Sequence, residues 1–265
     1  MSTREYPKVW SHFERIVEDG RTLQFEVEDI PESMWSTAVE FMLGNYIRED
    51  VWWATAGTAQ NLEAVQEYRV LLTSIIRQKM SVACFLAEGD GSGRTLVGVN
   101  MCLPQEKDRF VDHNPVKTIA FLIPLMKVID CSLKTPIDQL RSIDLPKTKA
   151  GLLSLRMFSE AMKVTAIYDK YDVNEYLMGA GLSVTPEYRG LGIAVELLKA
   201  RLSLAKELGY RATGGIFTSA GAQRVADRVG MESLYEISYK EFGKQCQIKF
   251  HTDTQFLKIY GYKFQ

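Results

Sequence analysis

Histidine and cysteine are scarce: three of the first and four of the second in 265 residues. Cys84, Cys102, Cys131 and Cys246 stand apart with no C-x-x-C spacing. That excludes the common zinc and dithiol motifs and a disulfide framework, and it fits free thiols in a reducing compartment, so a cytoplasmic location is expected. Cys84 and Cys102 fall in strand-like runs, where a buried cysteine is a small hydrophobe. His12, His113 and His251 are too scattered to hold a metal, and none is expected. Long apolar runs are missing too. The most apolar one, AFLIPLM at 120–126, is far too short to cross a bilayer. The first twenty residues hold no apolar segment of the kind a secretory signal needs. No charge sign dominates: 32 basic and 33 acidic side chains are interleaved, without the basic stripe that nucleic acid requires. Neither nucleic acid nor membrane is expected as a partner. No repeat or low-complexity tract appears.

What is present is an ordinary soluble composition, 46% hydrophobic and 25% charged, enough for a full core in one large domain or two small ones. The most informative stretch is 182–205, LSVTPEYRGLGIAVELLKARLSLA. LSV continues the apolar run YLMGAG as a strand, and Pro186 ends it because proline cannot donate to a ladder. Leu191, Val195, Leu198, Leu202 and Ala205 then recur at helical spacing. Gly190 and Gly192 stand where that helix begins. A first helical turn has unpaired N–H groups and partial positive charge, so a glycine-bared turn there suits a phosphate. A dinucleotide loop would need a third glycine where Val195 stands, and an early βαβ unit. The competing pattern, Arg/Gln-x-x-Gly-x-Gly/Ala, is matched at Arg189, Gly192 and Ala194.

Along the chain, 21–28 alternates as a first strand, and Pro31 marks the first position of a helix with Met34 or Trp35, Ala38, Phe41 or Met42, and Tyr46 inward. A second helix is expected over 58–79 with Leu62, Val65, Leu72 and Ile76 inward. VACFLAE, GDGSG and RTLVGVNMCL make a hairpin. A helix around 120–126 with Pro124 at its start or kink, a connector at 135–151 and a helix over 154–171 follow. Then come the strand 174–184, the 193 helix stopped by Gly209, a strand at 211–219, a short helix closed by Gly230, and strands at 231–239 and 254–264. The order is α/β with a mostly antiparallel sheet. Residues 1–20 are expected to be an extension and 21–265 a single domain with an insertion around 104–153.

The loop pattern is that of the GCN5-related N-acetyltransferases. NEYLMGAGLSVTPEYRGLGIAVELLKAR and ATGGIFTSAGAQRVADRVGMESLYEISYKEF resemble the insect arylalkylamine N-acetyltransferase-like family within them. The likeness is dense over 176–242, and 104–153 follow by element order alone. It implies the GNAT fold, acetyl-CoA or another acyl-CoA as co-substrate, a small primary amine as acceptor, and a monomer or weak dimer. By the same resemblance Leu182, Ser183 and Val184 pair with the pantetheine arm, with a backbone N–H near Val184 for the oxyanion. Tyr188, Arg189, Gly190, Leu191, Gly192, Ile193 and Ala194 cradle the pyrophosphate. Leu182 and Val184 also read as core, and the two readings are compatible.

Amide formation needs a neutral amine, while an alkylammonium holds its proton to a pH of roughly 10, so a base is required. The family's Asp-Glu-Pro segment corresponds to Glu49-Asp50-Val51, so the base is Glu49 or Asp50, or the pair is a solvated helix end. Ala222 stands where the family often has serine, and no tyrosine follows at its usual acid position; Thr218 and Ser219 remain as donors. Trp52 and Trp53 wall an amine pocket or belong to the core. Beside the amine acyltransferase stand two other readings: an acyl-CoA-binding protein without turnover, and a polyamine or agmatine acetyltransferase.

Overall fold

Alternation along the strands decides the layers. In the computed structural model, which describes residues 4–87, 93–107 and 146–265, strand β3 (Val82–Ala87) turns Val82 and Cys84 to one face and Ala83 and Phe85 to the other. Seven further strands continue the pattern: β1 (Val9–Ile16), β2 (Thr22–Asp29), β4 (Arg94–Glu106), β5 (Glu175–Val184), β6 (Ala212–Phe217), β7 (Glu232–Ser238) and β8 (Phe256–Lys263). They form one sheet in the order β1-β2-β3-β4-β5-β6-β8-β7, antiparallel everywhere except between β5 and β6.

Each face is covered by helices. On one lie α1 (Trp35–Phe41) and α3 (Leu62–Ile76), whose Ala38, Leu72 and Ile75 meet Phe85, Val99 and Met101. On the other lies α6 (Ile193–Glu207), whose Ile193, Leu197 and Leu204 pack on Phe25, Val97 and Leu177. Each such side chain contributes about 1.5–3 kcal/mol by leaving water. Five further helices follow: the 15-residue α4 (Lys149–Lys163) and the shorter α2 (Val51–Ala56), α5 (Ile167–Tyr171), α7 (Ala220–Arg228) and α8 (Tyr239–Cys246).

The structure differs from the sequence reading in places. Val9–Ile16, inside the expected extension, is the edge strand of the sheet, paired with β2 from Ser11 to Ile16 without a break. Helix α8 sits where only a strand end was read. Its Tyr239, Phe242, Gly243 and Cys246 are buried on one face. Pro31 precedes the helical turn rather than opening it, and Leu62, the first residue of α3, faces solvent at 82% exposure while Ala64 of the same turn is buried. On α6 the buried face runs through Ile193, Leu197, Ala200, Arg201 and Leu204, so Val195 and Leu202 lie at its margins. The helix expected around 120–126, most of the GDGSG turn, much of the 135–151 connector, Cys131 and His113 lie outside the described residues. Cys84, Cys102 and Cys246 are buried free thiols.

Candidate active site

Strands β5 and β6 touch only briefly. Their parallel pairing consists of Leu177 with Thr213 and Met178 with Gly214, and beyond it the strands part. β5 stays bonded to β4 on its other side, with a bulge at Ala180 between Gly179 and Gly181. Bulges bend a strand away from its neighbour, and here the bend opens a cleft at the sheet's centre. Gly181, at φ 139°, suits the place: an added Cβ would meet the Met42 methyl at 2.8 Å and the Tyr46 ring at 3.0 Å.

Three connected spaces fill the cleft. The first is a groove of about 450 Å³ walled by Leu182, Ser183 and Val184 on β5, by the 188–194 loop and by α7. Every residue expected at the cofactor lines it except Leu191, whose carbonyl accepts a hydrogen bond from Arg15 Nε at 2.8 Å. Gly190 and Gly192 adopt φ 83° and 81°, the left-handed turn that aims the first N–H groups of α6 outward. Arg189 Nε donates to Val184 O at 3.0 Å, while its Nη2 pairs with Glu49. Arg224 and Arg228, one helical turn apart on α7, face the groove from the opposite wall. Arg15 came from the stretch read as an extension, so sequence reasoning missed it.

The second space, of about 70 Å³, is a neck lined by Tyr46, Asp50, Asn100, Gly179, Gly181, Arg201, Thr218, Ser219 and Ala222. The third is an apolar chamber of about 170 Å³ walled by Trp52, Trp53, Tyr68, Leu71, Leu155, Phe158 and Ile216. Tyr46 borders all three spaces. It ends the π-helical turn Met42–Tyr46, an irregularity that re-aims side chains and is common at functional sites.

The acidic pair divides. Glu49 lies on the groove's rim, half exposed and tied to Arg189. Asp50 is buried and caps α2: Oδ1 accepts from the N–H groups of Trp52 at 3.0 Å and Trp53 at 3.5 Å, and Oδ2 accepts from Thr218 Oγ1. Burial pushes the Asp50 carboxyl above its ordinary pKa, against the lowering by those hydrogen bonds. Burial, with the Asp50 charge next, likewise holds the Tyr46 phenol well above its usual value. Thr218 is fixed from behind, its carbonyl accepting from Tyr239 Oη at 2.6 Å. Ser219 lines the groove and caps α7, with Oγ accepting from Ala222 N at 3.2 Å; its own O–H makes no hydrogen bond among the described residues. Trp52 is buried and stacks on Phe242 at 5.8 Å; Trp53 tilts against Tyr68 at 4.1 Å. The tryptophans are therefore core and chamber wall together.

Among the described residues no group of three or more His, Cys, Asp or Glu is placed to hold a metal, and no helix is long and apolar enough to cross a membrane.

A strap of sheet split between two parallel strands, with a phosphate-type loop at the head of the next helix, defines the acetyltransferase fold of the GNAT class. The family model "Acetyltransferase (GNAT) family" matches residues 149–231, from the first residue of α4 to the residue before β7. Solved structures agree over nearly the whole chain. A protein assigned as arylalkylamine N-acetyltransferase 7 of the yellow fever mosquito Aedes aegypti superposes with a TM-score of 0.74 at 22% identity, over 99% of this chain and 98% of that one. Arylalkylamine N-acetyltransferase 2 of the same mosquito gives 0.64 at 17% identity, over 91% and 99%. The polyamine N-acetyltransferase of Drosophila melanogaster, which forms N-acetylagmatine, gives 0.64 at 18% identity, over 91% and 100%. No curated protein matches. The chain therefore has the GNAT fold, a mixed and mostly antiparallel sheet flanked by helices.

Proposed function

We propose that this chain is an acyl-CoA-dependent N-acyltransferase whose acceptor is a small primary amine with an aromatic body. The observation that carries the reading is the meeting, at Tyr46, of a cofactor-shaped groove that Asp50 lines and an apolar aromatic chamber.

Acyl-CoA lies in the groove, its pyrophosphate on the α6 N-terminus between Arg189 and Arg15, its pantetheine along β5. The amine enters through the chamber, its ring against Trp53 and Tyr68 and its nitrogen at the neck. Asp50 takes the ammonium proton, directly or through solvent, and burial brings its basicity closer to the task. The amine nitrogen then attacks the thioester carbonyl carbon. Charge on the carbonyl oxygen is met by N–H groups that β5 turns toward the cleft. As the C–N bond forms and the C–S bond breaks, the electron pair leaves on sulfur. Ser219 O–H donates to the thiolate, which takes its proton from solvent. Ala222 offers only a methyl group there.

The chamber favours an arylalkylamine over a polyamine or agmatine. Glu67 is the one carboxylate among its described walls, and its oxygens already accept from Lys147 N, Thr148 N and Thr148 Oγ1. A second ammonium or a guanidinium would have to compete with those three donors for Glu67.

The test is thiol release from acetyl-CoA with tyramine, dopamine, agmatine and spermidine, on protein shown by calorimetry to bind coenzyme A. Turnover with arylalkylamines above the others supports the proposal. Binding without turnover on any amine reduces the protein to a cofactor-binding module, and peptides as better acceptors overturn the amine class.

A further inference from the structure

The amide-forming scheme leaves one charged group of the neck unused. Arg201, on the third turn of α6, is 2% exposed and has no carboxylate within salt-bridge reach among the described residues. Its Nε and Nη2 donate to Thr213 Oγ1 at 3.0 and 2.9 Å, and Nη2 reaches Gly214 O and, at 3.4 Å, Leu177 O. Those bonds hold the guanidinium plane at the point where β5 and β6 part. Nη1 makes no hydrogen bond among the described residues. It lies against Gly179, where any side chain would overlap it, and Gly215 is bare on the facing strand. A second open atom lines the same neck. Asn100 is 1% exposed; its Nδ2 donates to Gly181 O at 2.9 Å, and its Oδ1 has no partner among the described residues.

A guanidinium taken out of water without a counter-ion is unfavourable, and burial lowers the Arg201 pKa accordingly. Gly179 leaves the room that Nη1 itself occupies, and Gly215, where an added Cβ would stand 3.9 Å from Nη2, puts no side chain over the guanidinium, so Arg201 lines the neck directly. Fully buried arginine discriminates strongly between ligands with and without a matching anion, because an unmatched ligand leaves the charge unpaired.

We propose that Arg201 is the recognition point of a subsite for a short acyl group ending in a carboxylate, a malonyl- or succinyl-type thioester of coenzyme A. The proposal rests on the acyl-CoA reading above and names its donor. The acyl chain runs from the thioester past Gly179 and sets its carboxylate on Nη1, while Asn100 Oδ1 accepts from a ligand N–H. A neck of about 70 Å³ suits such a short acyl group. The carboxylate is a spectator: the bonds formed and broken at the carbonyl carbon are those already described.

The experiment measures dissociation constants of coenzyme A and its acetyl, butyryl, malonyl and succinyl thioesters without amine, then initial rates with tyramine. The wild-type protein is expected to bind malonyl- or succinyl-CoA more than about tenfold tighter than acetyl- and butyryl-CoA. Arg201→Gln should bring the four thioesters within about twofold while leaving coenzyme A affinity nearly unchanged, and Arg201→Lys should restore part of the preference. Asn100→Asp, which sets a second carboxylate in the neck, should remove the preference even if the Arg201 variants fail to fold. Wild-type protein that binds acetyl- or butyryl-CoA as tightly as both carboxylated donors overturns the subsite and leaves the acyltransferase reading standing. Failure to bind coenzyme A itself overturns both.

Discussion

Glu49 and Asp50 are adjacent in sequence and face different surroundings: one is half exposed on Arg189, the other buried against Thr218. Replacing each by its amide separates their parts. Asp50→Asn keeps the α2 cap through its one carbonyl oxygen, turns the contact with Thr218 round so that Nδ2 donates to Thr218 Oγ1, and removes the proposed base. Turnover is expected to fall on the order of a hundredfold with coenzyme A affinity nearly unchanged. Its stability should move the other way. The folded-state pKa of Asp50 is raised, so the native protein binds its proton more tightly than the unfolded chain does. Ionising the buried carboxyl therefore costs stability as pH climbs from the ordinary aspartate value through the raised one, and the cost persists above it. Asp50→Asn escapes that cost, so its melting temperature relative to wild type should rise from pH 4 to pH 7. A melting difference that shrinks over that range would show Asp50 to be stabilised as the anion. Glu49→Gln should instead keep kcat within about twofold and weaken coenzyme A binding several-fold, because a screened rim pair holds Arg189 in place and does little else. The sequence placed both carboxylates at one helix end and had no means to rank them. Ranking required knowing which one the helix break turns inward.

Among the elements, strand β5, the 189–194 loop and α6 were the most legible, since backbone conformation there depends on particular residue types. Proline stops the strand, glycines take positive φ, and apolar spacing marks the helix. The rotation of α6 was less legible. A buried Arg201 among Leu197, Ala200 and Leu204 made the true inner face look polar, so the periodicity favoured Val195 and Leu202 instead. Helix α8 escaped notice because it directly continues a strand and is only eight residues long. The loop's importance is tested at Gly192. A Cβ there would stand 3.3 Å from Arg15 Nη2 on a backbone at φ 81°. Gly192→Ala is expected to destabilise by about 1 kcal/mol through backbone strain and to weaken coenzyme A binding. Gly192→Glu adds a negative charge at the anion site and should abolish binding by calorimetry while the protein stays folded by circular dichroism. Unchanged affinity in either variant would remove the loop from the cofactor site.

At the scale of the molecule, the groove proposed for the cofactor depends on a strand far from it in sequence. The region 176–242 announced the fold, yet β1 read as an extension because Glu14 and Arg15 break up its apolar alternation and only Trp10 and Phe13 pack inward. Its contribution is larger than that pattern suggests. Phe13 stacks on Phe25 at 5.0 Å, and Arg15 braces the loop at Leu191. Asp29, fully buried, accepts from Lys8 N at 2.9 Å and Trp10 Nε1 at 3.1 Å and pairs with Arg4. Deleting residues 1–20 would strand that carboxylate and expose the β2 edge to other chains. Leaving a buried charge without its partners typically costs about 3–5 kcal/mol. For a chain of this size even the lower end is on the order of 6–12 °C in Tm. The truncated protein is therefore expected to melt at least that much lower, to associate at concentrations where the full chain does not, and to bind coenzyme A more weakly because Arg15 is gone. Circular dichroism melts, sedimentation and calorimetry on the two lengths check the three effects separately. Equal melting and equal affinity would return β1 to the status of an appendage, whereas lost affinity at a preserved melting temperature would assign Arg15 to the cofactor alone.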